Sequence, residues 1–185
     1  LTADEEVLFL REHRKQFGDE DALVMLLVEA EDIFAPEVLT LVTELSDQLE
    51  DLQHIDQVYS LSTMQELGGR PGMLEVHPLL DELPTSVEEQ RALRDRTLSN
   101  ALFLNRFVNL EGTATSILAK FDDGFVEELD RRPVLAAMEE ILSGVNIAGI
   151  STTLVGLPVV NREYAVLLQE DMLRTIAASV VLMCI

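Results

Sequence analysis

Ala22-Leu-Val-Met-Leu-Leu-Val28 is seven consecutive apolar residues between Asp19-Glu-Asp21 and Glu29. The run is short and bounded by turn-like acids, so it reads as a buried strand. An amphipathic helix follows. Pro36 suits its first turn, where a missing N–H costs nothing. Val38, Leu41, Val42, Leu45, Leu49 and Leu52 recur at spacings of three and four, with Glu37, Glu44, Asp47, Glu50 and Asp51 on the other face. Burying those apolar side chains contributes on the order of 1.5–3 kcal/mol each before entropy costs. The helix therefore docks, and the preceding strand is the nearest apolar surface. His54-Ile-Asp56 then turns the chain, and Ile55, Val58, Tyr59 and Leu61 make a second strand, most clearly over Val58–Leu61.

Upstream, Leu1 to Phe17 reads as a helix carrying Val7, Leu8, Leu10 and Phe17, ended by Gly18. Downstream, 62–113 reads as a helical and loop insertion. Gly68-Gly-Arg-Pro-Gly72 is a loop by composition, and Pro78 and Pro84 punctuate the chain. Ser86 and Glu89 stand at capping-box spacing, opening a helix to about Ser99. A short helix over about Ala101–Phe107 is expected next. The first pattern then returns. Ala114–Phe121 reads as a strand and Asp122-Asp-Gly124 as a turn. A helix within 125–143 carries Val134, Met138, Ile141 and Leu142 on one face. Pro133 must either kink that helix or start its main part. Ile150–Gly156 is the fourth strand, and Pro158 opens the last helix.

Strand–helix–strand, insertion, strand–helix–strand is the order of two split βαβ halves. It predicts an α+β, ferredoxin-like sandwich: an antiparallel sheet with helices on one face.

Charge narrows the partners. Among 185 residues, 34 are acidic and 13 basic, for a formal net charge of −21, yet 48% are hydrophobic and mean hydropathy is +0.18. Such a chain folds and buries a core; an acidic disordered tail would lack the apolar content. Between Gln16 and Gly69 there are 13 acids and no Lys or Arg. Nucleic acid is excluded as a partner for want of clustered cations, and anionic headgroups are disfavoured for the same reason. The lone cysteine, Cys184, forms no internal disulfide and no CxxC site.

The chemistry-bearing residues make no constellation. Asp122-Asp123, Glu127-Glu128 and Glu139-Glu140 are adjacent in sequence, so their side chains diverge on a helix and read as solvated surface. His13, His54 and His77 lack i+3 or i+4 partners, and a zinc site needs three or four ligands. His54 falls at a helix end, where a protonated ring favours the dipole. Gly68-Gly69, Arg70 and Gly72 lack the strand–helix context of an anion-binding loop. The segment Glu29–Pro36 has neither the arginine of an acylphosphatase-type site nor the CxxC of a heavy-metal domain. No catalytic, cofactor-binding or metal residue is assigned, and the chain is not read as an enzyme.

A series of short motifs nonetheless carries a resemblance. Phe17-Gly-Asp-Glu-Asp-Ala-Leu-Val24 opens a strand, Phe34-Ala-Pro-Glu-Val-Leu39 a helix, and Val58-Tyr-Ser-Leu61 the next strand. Leu93-Arg-Asp-Arg-Thr-Leu98 and Phe107-Val-Asn-Leu-Glu-Gly112 fall in the insertion. Val155-Gly-Leu-Pro158 and Asp171-Met-Leu-Arg174 lead into the uncharged run 175–185. In this order they resemble the first large extracytoplasmic loop of RND-superfamily exporters, in the MMPL, Patched-like and hopanoid-transporter branch. Glu111 stands where that pattern has Asp.

The resemblance implies a porter-type domain over 1–174, on the periplasmic or extracellular side of the cytoplasmic membrane, between transmembrane helices 1 and 2. Residues 175–185 would begin a transmembrane helix. The expected function is proton-driven export of lipids or other hydrophobic or amphiphilic substrates. The partners would be the remainder of the transporter, and the energy-coupling residues would lie outside this chain. No substrate-contacting residue follows from the motifs. The alternative is a soluble ferredoxin-like binding module that dimerises through its C-terminal helix.

Overall fold

The computed structural model describes residues 9, 12–13, 22–70, 73–122, 125 and 128–183. Most of the expected helix over Leu1–Phe17, the turn residues Asp123 and Gly124, and Cys184 lie outside the described residues. The elements are β1 (Leu23–Glu29), α1 (Pro36–Glu50), β2 (Ile55–Tyr59), β3 (Gln65–Arg70), β4 (Met73–Pro78), α2 (Val87–Ser99), β5 (Ala114–Phe121), α3 (Glu128–Ser143), β6 (Ser151–Val155) and α4 (Leu157–Met183).

Four strands form one antiparallel sheet in the order β2-β5-β1-β6. Each strand–helix–strand half leaves a gap that one strand of the other half fills: β5 lies between β1 and β2, and β1 lies between β5 and β6. This interleaving is the split βαβ arrangement, so the α+β, ferredoxin-like expectation holds.

The core lies between the sheet and α1 and α3. Val24, Leu26 and Val28 of β1 and Ile117, Ala119 and Phe121 of β5 are buried. Over them lie Val38, Leu39, Val42, Leu45 and Leu49 of α1, and Val134, Leu135 and Met138 of α3. The one polar side chain on the buried face of α1 is Ser46. Its hydroxyl bonds Val42 O (2.6 Å) and Ser60 Oγ (2.8 Å), so no buried donor is left unpaired there. Pro133 sits inside α3, which continues on both sides of it.

The insertion departs from expectation in two places. Gly68, Gly69 and Arg70 are not loop but the end of β3, which pairs with β4 from Gln65↔Pro78 to Arg70↔Met73. Backbone pairing joins the two strands, and Glu75, Val76 and His77 are exposed. Its base is anchored by buried Leu61 and Leu79, and Arg96 Nη2 donates to Leu79 O at 2.8 Å. Second, the expected helix over Ala101–Phe107 is a succession of turns. Asn100 Oδ1 accepts from Leu102 N (2.9 Å), and Asn105 has φ 60°, a left-handed conformation that stops helix growth. Phe103, Phe107 and Val108 from this segment are buried in the core.

α2 begins as its sequence predicts. Ser86 Oγ accepts from Glu89 N at 3.2 Å. The Glu89 carboxylate reaches back to Thr85 N (2.7 Å) and Oγ1 (3.0 Å), which lowers its pKa below the usual range. α4 has 27 residues, a length of about 40 Å. Among the described residues no helix is long and apolar enough to cross a membrane.

Candidate functional site

The face of the sheet opposite α1 and α3 is the candidate site. Alternation along a pleated strand sends Val24, Leu26 and Val28 toward the helices and Leu23, Met25 and Leu27 the other way. An ordinary half-buried strand would place polar residues there. β1 does not, because its apolar run is unbroken.

The register assembles the rest. Val155 pairs with Met25, Met25 with Leu118, and Leu118 with Tyr59. These four side chains form one row across all four strands, about 14 Å long at the usual strand spacing. The Tyr59 hydroxyl donates to Gln57 Oε1 within the same face, so the ring lies in the row with its polar end satisfied. Leu23 is 39% and Val155 44% exposed, and Met25, Leu27, Leu118 and Tyr59 are half-buried.

Charge is confined to opposite corners. Lys120 Nζ lies 3.1 Å from Asp56 Oδ2, and Glu29 Oε2 accepts from Ser151 Oγ at 3.2 Å. Polar side chains share the face: Ser116 and Thr153 pair with Leu27, and Gln57 pairs with Lys120, so the apolar part is the row Val155–Met25–Leu118–Tyr59 with Leu23 and Leu27. Covering each of its large side chains would contribute on the order of 1 kcal/mol. The surface can make apolar contacts.

The face keeps its shape through the connections at its ends. Gly156, with φ 143°, lets the β6–α4 corner pass close over β1; a Cβ there would come within 3.0 Å of Leu23 O. At the other end, the β1–α1 connection is bracketed by the insertion. Ala30 N donates to Thr113 O (2.9 Å) and Ile33 N to Gly112 O (3.0 Å). Arg94 closes the bracket. Its guanidinium bonds Asp32 Oδ1 (3.2 Å) and Glu111 O (2.6 Å) and lies 5.6 Å from the centre of the Phe34 ring. Asp32 also accepts from Gln90 Nε2 (3.0 Å) and Phe34 N (3.0 Å).

The histidines and acids singled out in the sequence are dispersed. His54 has φ 68° and stacks on Phe125, with centroids 4.1 Å apart and planes at 6°. Its Nδ1 lies 3.4 Å from Asp122 Oδ2 at the rim of an apolar recess of about 640 Å³ lined by Leu52, Phe125, Pro133, Val134 and Ala137. His77 lies 3.3 Å from Glu75, and His13 is exposed.

Glu139 is not merely solvated. It forms a two-pronged ion pair with Arg162, joining α3 to α4. The hydrogen bonds from Arg162 lower the Glu139 pKa, and those to Glu139 raise that of Arg162. Among the described residues no group of three or more His, Cys, Asp or Glu converges as metal ligands would.

Sequence reasoning assigned no residue of the open face to a site, although the unbroken run Ala22–Val28 carried its signal. No protein-family model matches the chain, and no characterised protein matches it in sequence.

Proposed function

We propose that this chain is the extracytoplasmic porter-type domain of an RND-superfamily exporter, of the MMPL, Patched-like and hopanoid-transporter branch. It exports lipids or other hydrophobic or amphiphilic substrates. The domain stands on the outer side of the cytoplasmic membrane, with the uncharged run 175–185 leading toward the bilayer. Proton-driven coupling belongs to the transmembrane helices, and this domain supplies surface, not bond chemistry.

The observation that carries the reading is the open sheet face. An acidic domain in water has no use for an apolar row that none of the described helices covers, whereas a domain lining the route of a hydrophobic substrate needs one. The motif order adds support. Val58-Tyr-Ser-Leu61 falls on and just after β2, Leu93–Leu98 lies within α2, and Phe107–Gly112 holds the β1–α1 connection. Val155–Pro158 is the β6–α4 corner.

The complete sequence of the encoding gene tests this. The reading expects one transmembrane helix before Leu1 and an apolar continuation after Ile185 to about 20 residues. It also expects a second copy of the strand–helix–strand layout downstream. A stop codon close after Ile185 overturns it.

A further inference from the structure

The four-stranded sheet has two edges, β2 and β6, and they are finished differently. An edge strand presents unpaired N–H and C=O groups, and folded proteins blunt such edges with bulges, charges or Pro. β2 is blunted twice. Its register against β5 shifts between Ile55 and Gln57, and Asp56, 3.1 Å from Lys120 Nζ, puts a charged pair on it. β6 has neither device. Ser151-Thr-Thr-Leu-Val155 pairs with β1 in unbroken register and carries no charge and no Pro. Thr152, Thr153 and Val155 are β-branched, the type that suits a strand. Among the described residues, no backbone hydrogen bond joins Ser151–Val155 to anything but β1.

The groups on that edge select a partner by chemistry. A row of alternating backbone donors and acceptors is matched by another extended main chain, and hydrocarbon offers it nothing. The side chains beside the edge narrow the choice. At one end Val155 and Leu157 are 44% and 50% exposed, so an apolar residue fits there. At the other end Ser151 Oγ donates to Glu29 Oε2 at 3.2 Å, and Glu29 is exposed, so a cation fits. A second copy of this chain is a poor occupant. Two copies of net charge −21 repel, and β6 laid against itself brings no cation to Glu29.

We infer that β6 takes up an extended segment of a basic polypeptide as an added antiparallel strand. An apolar residue of that segment lies opposite Val155 and a Lys or Arg opposite Ser151. The antiparallel direction matches every pairing in the sheet and is the more stable per residue.

The test is a titration of the whole chain with the end-capped peptide Ile-Thr-Thr-Val-Lys-Lys, followed by amide NMR. Saturable shifts and slowed hydrogen exchange should appear at Thr152–Val155 and not at Val58 and Tyr59 of the blunted edge. Alternate residues of an antiparallel strand face the partner. Methylating the backbone nitrogens on one side of the peptide should therefore weaken binding by at least about tenfold, and methylating the other side should leave it unchanged. Replacing both lysines of the peptide by Glu should weaken it similarly. So should Thr153→Lys, a charge of the kind that guards natural edges, with the circular dichroism spectrum of the protein unchanged. Four results would overturn the inference: no saturable shift at Thr152–Val155, equal shifts at β2, equal binding of the two methylated peptides, or equal binding of the acidic peptide. None of them touches the exporter reading, which the gene sequence decides separately.

Discussion

The two faces of the sheet are built from the same strands, and β1 and β5 give both of them apolar residues. On one face Val24, Leu26, Ile117 and Phe121 lie under α1 and α3 and are almost fully removed from water. On the other, Leu23, Met25, Leu118 and Val155 have no helix over them among the described residues and stay partly exposed. Where both faces are apolar, the difference lies in what covers them. The covered face sets the fold; the open face keeps apolar surface available for contact, at the expense of solubility. The same separation lets a strongly acidic exterior coexist with a hydrophobic composition.

That comparison is open to attack in four places. The largest effect belongs to the covered face. Phe121 is fully buried, and Phe121→Ala should cost about 3–5 kcal/mol in urea unfolding. The bracket at the end of the sheet comes next. Gly112 has φ 72°, and a Cβ there would meet Arg94 Nη2 at 2.9 Å. Gly112→Ala should therefore cost about 1–2 kcal/mol by the same measurement. Combining it with Arg94→Ala should give less than the sum of the two losses, because both changes disturb one contact.

Leu118, beside Ile117 on the same strand, should lose no more than about 1 kcal/mol on change to Ala, because it is already partly in water. A loss equal to that of Phe121→Ala would mean the open face is core after all. The smallest effect is the Glu139–Arg162 pair. Glu139 has a folded-state pKa below its unfolded value, so its contribution is present above the unfolded pKa near 4.3 and fades as pH falls through the folded one. Its side chain is 47% exposed, so screening holds the contribution to a few tenths of a kcal/mol. Glu139→Gln should lower Tm slightly at neutral pH, and the difference from the parent should vanish in acid.

Much of this fold was legible in the residues, for physical reasons. The unbroken run in β1, the three-and-four spacing in α1, and the Ser86–Glu89 cap are local signals, and the structure follows them. The β3–β4 ribbon was hidden because Gly68-Gly69-Arg70 resembles a loop by composition. The turns at 101–107 were hidden because their hydrogen bonds depend on Asn100 and Asn105 side-chain and backbone choices, not on periodicity. Arg94 was unreadable as a bracket, since Asp32 is 62 and Glu111 17 positions away. The open face was legible in part: seven apolar residues without alternation already mean that both faces of β1 are apolar. Which residues of β2, β5 and β6 join them depends on register, and only the fold supplies that.

The central claim is that the open face is a contact surface in the proposed exporter. The direct measurement is thiol labelling of Leu118→Cys, in a Cys184→Ser background, with a water-soluble maleimide. It compares the isolated chain with the same chain inside the proposed exporter. The account predicts rapid labelling of the isolated chain and strong protection in the exporter. Equal labelling in both would contradict it.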